Sequence, residues 1–404
     1  VCGLAVAALA LTACSSNSTT GSASPAGASG GSTAGSTAHG TPINLTFLTQ
    51  DTGQGSSGDA FPGIQAAIRY VNAHGGVKGR PLAAQECIDN RDPNLAAACA
   101  AKAASNSSII ASVGQTTLQG AVVDPVFQHA SLPAIGGTAF VPADLTSPMF
   151  FTTDIGGLGG LGAVAAAADL LHAKKISFVY DQSPAAATEV ALLDSVVLKP
   201  RHLPPVTAVG VPPTTGDMSA AVAKAGQGSP SAIIMYTAQS RANAFVKAAR
   251  QQGVTTPIVI FASLETPSAV QQQLGGGQNL YFCTSFTRSG PVYKAFLSQW
   301  QGAGNPASLA DEFAINGWLS VTMFAQVART LPTITRASVL AAFSKLTNYS
   351  TGGMLPPLSY TKPATVLGGK APRIVNPTMG LAQYQNGTFV PIAGGKFTNP
   401  FIVP

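Results

Sequence analysis

"GIQAAIRYVNAHGGVKGRPLAAQECIDNRDPNLAAACAAKAA", residues Gly63–Ala104, reads as a helix, a turn, a strand and a second helix in one unbroken run. Just ahead of it and within it, Phe61, Ile64, Ala67, Ile68 and Val71 recur at the spacing of a helix that buries one face. Gly75 and Gly76 stop that helix, because glycine enters the left-handed conformation without steric cost. "RPLAAQECID" (Arg80–Asp89) is then a strand. Asp92-Pro93 opens the next helix, with Asp as N-cap and Pro in the first turn, where a missing N–H costs nothing. Strands alternating with helices at this spacing imply a parallel sheet covered on both faces.

The same alternation extends in both directions. "INLTFLT" (Ile43–Thr49) is a strand upstream, followed by the Gly-rich loop "QDTGQGSSGD". Downstream, "SIIASVG", "LPAIGG" and "MFFTTDI" are short apolar strands, with the helix "LQGAVVDPVFQHA" between the first two. A second set of strands and helices follows from Leu161 to "PIVIFAS" (Pro257–Ser263). "LADEFAINGWLSVTMFAQVARTL" (Leu309–Leu331) is a long amphipathic helix, and the last fifty-odd residues are rich in Pro, Gly and Thr, with strand-like pieces. The fold class is therefore α/β, with two Rossmann-like lobes and a cleft between them.

The chain has 404 residues, 46% of them hydrophobic and 9% charged, which suits tightly packed α/β layers in two domains. Net charge is +6, but the basic residues are scattered, so nucleic acid is not an expected partner. The first thirteen residues, "VCGLAVAALALTA", are apolar, uncharged and too short to span a bilayer. They read as the h-region of a secretory signal, without an initiator Met or a basic n-region. "LTAC" (Leu11–Cys14) resembles a bacterial lipobox, which would make Cys14 the lipidated residue. The Ser/Thr/Gly/Ala tract after it cannot bury apolar area and reads as a flexible tether. The expected location is extracytoplasmic, lipid-anchored to the cell membrane. Export permits disulfides. Cys87 ends a strand and Cys99 lies on the next helix, so a disulfide between them is expected, the alternative being two separate buried thiols; Cys283 is expected to be a buried free thiol.

One pattern suggests a different chemistry. Gly157, Gly159 and Gly162 in "DIGGLGGLGAVAAAADLL" (Asp154–Leu171) spell the spacing of a dinucleotide-binding turn, with Asp181 placed for a ribose. With 43 Gly in 404 residues such spacing arises about 0.5 times per chain by chance. Gly53, Gly55 and Gly58 repeat it. The strand ahead of it carries Thr152, Thr153 and Asp154, unlike the continuous apolar strand of a dinucleotide domain. No nicotinamide or other cofactor is expected. Catalysis has equally little behind it: the sequence has no G-x-S-x-G, and its five His are isolated, without metal-ligand spacing.

The stretch from Gly63, followed by "ASVGQTTLQGAVV", "LPAIGGTA", "KKISFVYD", "SAIIMYT" and "FAINGW", resembles the leucine/isoleucine/valine-binding class of type I periplasmic binding proteins. The resemblance covers about Pro42 to Pro404. It implies two lobes joined by a three-strand hinge, with crossings near Thr152–Gly157, Asn279–Ser289 and Val375–Gln385. The implied boundaries are 1–13 partial signal, 14–41 anchor and tether, 42–156 and 286–378 for the first lobe, and 157–285 and 379–404 for the second. It also implies a solute-binding lipoprotein that hands an amino-acid-like small molecule to the permease of an ABC transporter. A sensor of the same fold and an exported NAD-dependent or hydrolytic enzyme are the alternatives.

In that family the loop "GQTTLQ" and the "GGTA" segment hold a carboxylate, which carries over to Gln115, Thr116, Thr117, Gly136 and Thr138. A helix N-terminus with free amides suits an anion on physical grounds as well. The second lobe departs from the pattern. Ala185 and Gln239 stand where aromatics are expected, with Tyr236 close to the latter. The acid for an ammonium group is Glu265, unless Ser263 takes its place. Phe313 matches an aromatic that reaches the cleft, or else packs in the core of its helix.

Overall fold

The computed structural model describes residues 37–51, 57–182, 184–263 and 265–403. The signal-like run, Cys14 and most of the tether lie outside them, as do Gly53 and Gly55.

The first sheet comes from β1 (Ile43–Thr49), β2 (Leu82–Ile88), β3 (Ile109–Val113), β4 (Ala134–Ile135) and β5 (Phe150–Phe151). All five are parallel, in the order β2-β1-β3-β4-β5. Helices α1 (Ala60–Ala73), α2 (Pro93–Ser105), α3 (Gly120–His129) and α4 (Pro142–Thr146) connect them. The turn after α1 is fixed locally. Asn72 donates to the Leu82 carbonyl at 2.9 Å and accepts from the Leu82 amide at 2.7 Å, so it pairs with β2 as a strand would. Asp92 caps α2 by accepting from the amides of Asn94 and Leu95, and Pro93 occupies the first turn. Cys87 on β2 is disulfide-bonded to Cys99 on α2, and Cys283 is a buried free thiol.

Helix α5 (Gly159–Leu170) carries the chain to a second sheet. Its residues from Gly159 to Ala167 are all buried, which explains why it is made of Gly and Ala: small side chains let it be covered on every side. The second sheet is built from β6 (Ile176–Asp181), β7 (Thr207–Val211), β8 (Ala232–Tyr236), β9 (Ile258–Phe261) and β10 (Leu280–Thr284). These are parallel, in the order β7-β6-β8-β9-β10. Helices α6 (Pro184–Leu193), α7 (Ser219–Ala225), α8 (Gln239–Gln251) and α9 (Pro267–Leu274) flank them.

The chain then returns to the first lobe. Helices α10 (Gly290–Gly302), α11 (Glu312–Thr330) and α12 (Arg336–Ser344) pack on the first sheet and α1. A third pass adds β11 (Met379–Gln385), β12 (Thr388–Pro391) and β13 (Phe397–Thr398) to the second sheet, with β11 antiparallel to β10. The structure is thus two α/β lobes with parallel sheets.

The run "MFFTTDI" is strand only at Phe150–Phe151. Its polar half leaves the sheet because other segments satisfy it. Thr152 Oγ1 donates to the Arg373 carbonyl at 2.5 Å, and the Thr152 carbonyl accepts from the Tyr360 hydroxyl at 2.6 Å. The Thr153 carbonyl accepts from Asn376 Nδ2 at 3.0 Å. The first pass between lobes is therefore tied side by side to the third. Among the described residues no helix is long and apolar enough to cross a membrane.

Candidate functional site

Strand ends from both sheets converge on a cleft of about 580 Å³. Gln50 and Asp51 follow β1, Thr138 and Phe140 follow β4, Tyr236 to Ser240 bridge β8 and α8, and Phe261 and Ser263 end β9. Asp154 to Gly159 come from the first pass, Ser285 and Phe286 from the second, and Glu312, Phe313 and Asn316 from the first turns of α11. This is the carboxyl-end crevice where ligands of parallel sheets bind.

Asp154 is held by donors from three segments. Its carboxylate accepts from Thr138 Oγ1 at 2.8 Å, Asn316 Nδ2 at 3.1 Å and the Gly156 amide at 3.0 Å. Burial pushes its pKa up to about 7, and nearby Glu312 adds to this, while the bonds from Thr138 and Gly156 oppose it. Glu312 accepts from the Thr284 hydroxyl and lies 3.9 Å from the buried Arg288 guanidinium; its own pKa is raised by burial, against the pull of Arg288 and Thr284. The other acids are neutralised by cations. Asp51 pairs with Arg91 at 2.8 Å, and Asp181 is held by the Arg241 fork and the Ala238 amide. Tyr236 donates to the Gly157 carbonyl at 3.2 Å.

Of the sequence-derived site residues, Thr138, Tyr236, Gln239 and Phe313 line this cleft, and Ser263 does so where Glu265 does not. Phe313 also belongs to the core of its lobe. The carboxylate loop is not brought there. Gln115, Thr116 and Thr117 are at most 1% exposed, and the two threonine hydroxyls are engaged within the first lobe. Thr116 Oγ1 donates to Thr49 Oγ1 at 3.1 Å, and Thr117 Oγ1 bonds Asp89 and accepts from the Gln119 amide at 3.0 Å. The Gln115 carbonyl accepts from the Thr138 amide at 3.0 Å. Gly136 is required by α11: a Cβ there would overlap the Ser320 side chain. Glu265 is buried, and that burial pushes its pKa up to about 7. The side chain of Ala185 lies outside the described residues.

The glycine fingerprint also has a packing cause. A Cβ at Gly157 would come 2.5 Å from the Phe140 carbonyl oxygen, one at Gly159 2.9 Å from the Phe261 ring, and one at Gly162 2.8 Å from Met379 Sδ. Asp181 is engaged with Arg241. These glycines let α5 and the first pass approach their neighbours. Among the described lining residues there is no His, Cys or Lys.

Residues 42–371 match the sequence model of the family described as periplasmic binding protein. The chain belongs to the periplasmic binding protein family. No curated protein matches it. Solved structures do, at identities that establish the fold. The branched-chain amino acid transporter substrate-binding protein of Streptococcus pneumoniae, in complex with isoleucine, is 19% identical with a TM-score of 0.69, covering 87% of this chain and 99% of that one. An ABC transporter solute-binding protein of R. palustris, in complex with 4-hydroxybenzoate, is 15% identical with a TM-score of 0.70, covering 89% and 97%. A fatty acid ABC transporter substrate-binding protein of Thermomonospora curvata is 18% identical with a TM-score of 0.69, covering 88% and 93%.

Against that family background, the residues that sequence reasoning missed are Gln50, Glu312 and Asn316, together with the cleft role of Asp154. Glu312 and Asn316 are one helical turn apart, so both fall on one face of α11. Two polar residues flanking Phe313 at the start of a largely apolar helix were the available signal.

Proposed function

We propose that this periplasmic binding protein is an extracytoplasmic solute-binding lipoprotein that captures a small molecule between its lobes for an ABC importer. The cleft carries the reading: it draws its lining from both lobes and all three passes between them, and it joins aromatic walls to a few buried polar groups. The ligand is an amino acid or a related small compound. The lobes are 42–156 with 286–378, and 157–285 with 379–404, and they close on the ligand by bending at the passes. A ligand at a hundred times its dissociation constant should stabilise the protein by about 2.7 kcal/mol. At this chain length that is a melting shift of a few degrees. A thermal-shift screen of amino acids, amines, small organic acids, amides and neutral sugars, with mass spectrometry of any molecule released on denaturation, tests it. No shift and no released molecule would sink it.

The lipid anchor rests on "LTAC" and the tether that follows. Cys14→Ser is expected to move the protein from the membrane fraction to the soluble one. Unchanged membrane retention would remove the lipoprotein assignment while leaving the binding function untouched.

A further inference from the structure

We infer that the polar end of the ligand facing the first lobe is a cationic hydrogen-bond donor, an ammonium group on an apolar or aromatic body, received by Asp154, Glu312 and Gln50. The inference rests on the solute-binding reading and adds the charge and orientation of the solute.

The balance of charge at this wall comes first. Four acids line the cleft, Asp51, Asp154, Asp181 and Glu312, against a single cationic side chain, Arg91. Arg91 is taken by Asp51, and Asp181 by Arg241. Asp154 has no ion-pair partner among the described residues, and Glu312 has only Arg288, at a distance too long for a hydrogen bond. A carboxylate placed here would add to the repulsion between two acids, whereas an ammonium would stabilise their charged forms.

The balance of donors and acceptors points the same way, independently of charge. Gln50, nine-tenths buried just past β1, lines the cleft, and its Oε1 has no hydrogen-bond partner among the described residues. A buried acceptor without a donor is costly, so a ligand that brings a donor gains by supplying it. The protein's own donors at this wall, Thr138 Oγ1 and Asn316 Nδ2, both point their hydrogens at Asp154. The groups that would have held a carboxylate, Thr116 and Thr117, are turned into the lobe. Phe140, Phe261, Phe286, Phe313 and Tyr236 complete the lining. Aromatic rings favour an apolar body and attract a cation through their faces.

Three compounds of one skeleton separate the possibilities: 2-phenylethylamine, phenylalanine and 3-phenylpropionate. Calorimetric titration of the wild-type protein is expected to show binding of the amine and at least tenfold weaker binding of 3-phenylpropionate. Asp154→Asn and Glu312→Gln should each weaken amine binding tenfold or more. Should either variant fold poorly by circular dichroism, Gln50→Glu keeps the question open to measurement, because an added acid at that position should tighten amine binding at least threefold. Equal or tighter binding of 3-phenylpropionate, or amine affinity indifferent to all three variants, would overturn the proposal. So would failure of the amine to bind. In that case a shift from any other compound in the screen leaves the solute-binding reading standing, and silence throughout removes both.

Discussion

Gly317→Val should lower the melting temperature by roughly 4–6 °C, or leave no folded protein to melt. Helices α1 and α11 cross where each presents a glycine to the other. A Cβ at Gly317 would overlap the Ala60 carbonyl oxygen, and one at Gly63 would overlap that of Ala314. Both obstacles are backbone atoms, so no rotamer change relieves them. The helices must move apart, and the core they enclose, with Ile64, Ala67, Phe324 and the fully buried Phe47 among its members, loses contact. Overpacking of a core costs about 1–3 kcal/mol where side chains can adjust, and more where they cannot; here about 3–5 kcal/mol is expected. Gly302→Ala is the control. A Cβ there meets nothing within 4 Å, and Gly302 ends a helix, so the exchange should be neutral or stabilise by up to about 1 kcal/mol. Thermal melts of the two variants beside the wild type decide it: Gly317→Val melting within 2 °C or so of the wild type would show that the crossing is looser than described.

The second large effect is a loss of stability with rising pH. Asp124 on α3 and Asp144 on α4 are both buried, and their carboxyl groups face each other. Neither has an ion-pair partner among the described residues. Burial and the neighbouring Asp144 push Asp124 up to about 8, and burial pushes Asp144 to about 6 despite the amides of Val141 and Phe140. Two such groups are accommodated when one proton is shared between them. In the unfolded chain both titrate near the ordinary aspartate value, so between about pH 4 and 8 the folded state holds protons that the unfolded state has released. The stabilisation is complete below the unfolded value and is lost as pH rises through 6 and then 8. Glu189, pushed by burial to about 8, and Glu265, to about 7, act in the same direction. The protein should therefore melt several degrees higher at pH 5.5 than at pH 8.5, a difference on the order of 3 kcal/mol. Asp124→Asn, which cannot ionise but can still donate to Asp144, should flatten the slope by gaining stability at pH 8.5. A melting temperature constant or rising over that range would refute the account.

The parts of the fold that were legible are those whose causes are local. Gly75, Gly76, Asp92 and Pro93 act on their own turn or the next, so the element boundaries around them could be read from the chain. Where the loop Gln115–Thr117 lies was not legible for the opposite reason. Thr117 bonds Asp89 and Thr116 bonds Thr49, partners 28 and 67 residues away, and the sequence does not say that those hydroxyls are already engaged. The glycines from Gly157 to Gly162 are explained by Phe140, Phe261 and Met379, which likewise lie outside their own stretch of chain. Asp154 was visible only as an interruption in a strand, and Glu312 and Asn316 only as polar positions on a helix that reads as core. Which end of that helix meets the cleft depends on the other lobe.

The three passes between lobes also dictate the order in which the molecule can be completed. As residues emerge from the N-terminus onward, the first sheet is finished at Phe151 but lacks part of its helical cover until α10 to α12 follow. The second sheet reaches β10 at Thr284 and then waits until Met379 for β11. Through that interval β10 is an open edge with unpaired backbone groups, a template for pairing with another chain. The contact between Ala60 and Gly317 closes a loop of more than two hundred residues, which makes nucleation slow. Neither lobe can be cut out as a continuous piece, and a chain stopped before Met379 would leave both lobes built and one sheet unsealed.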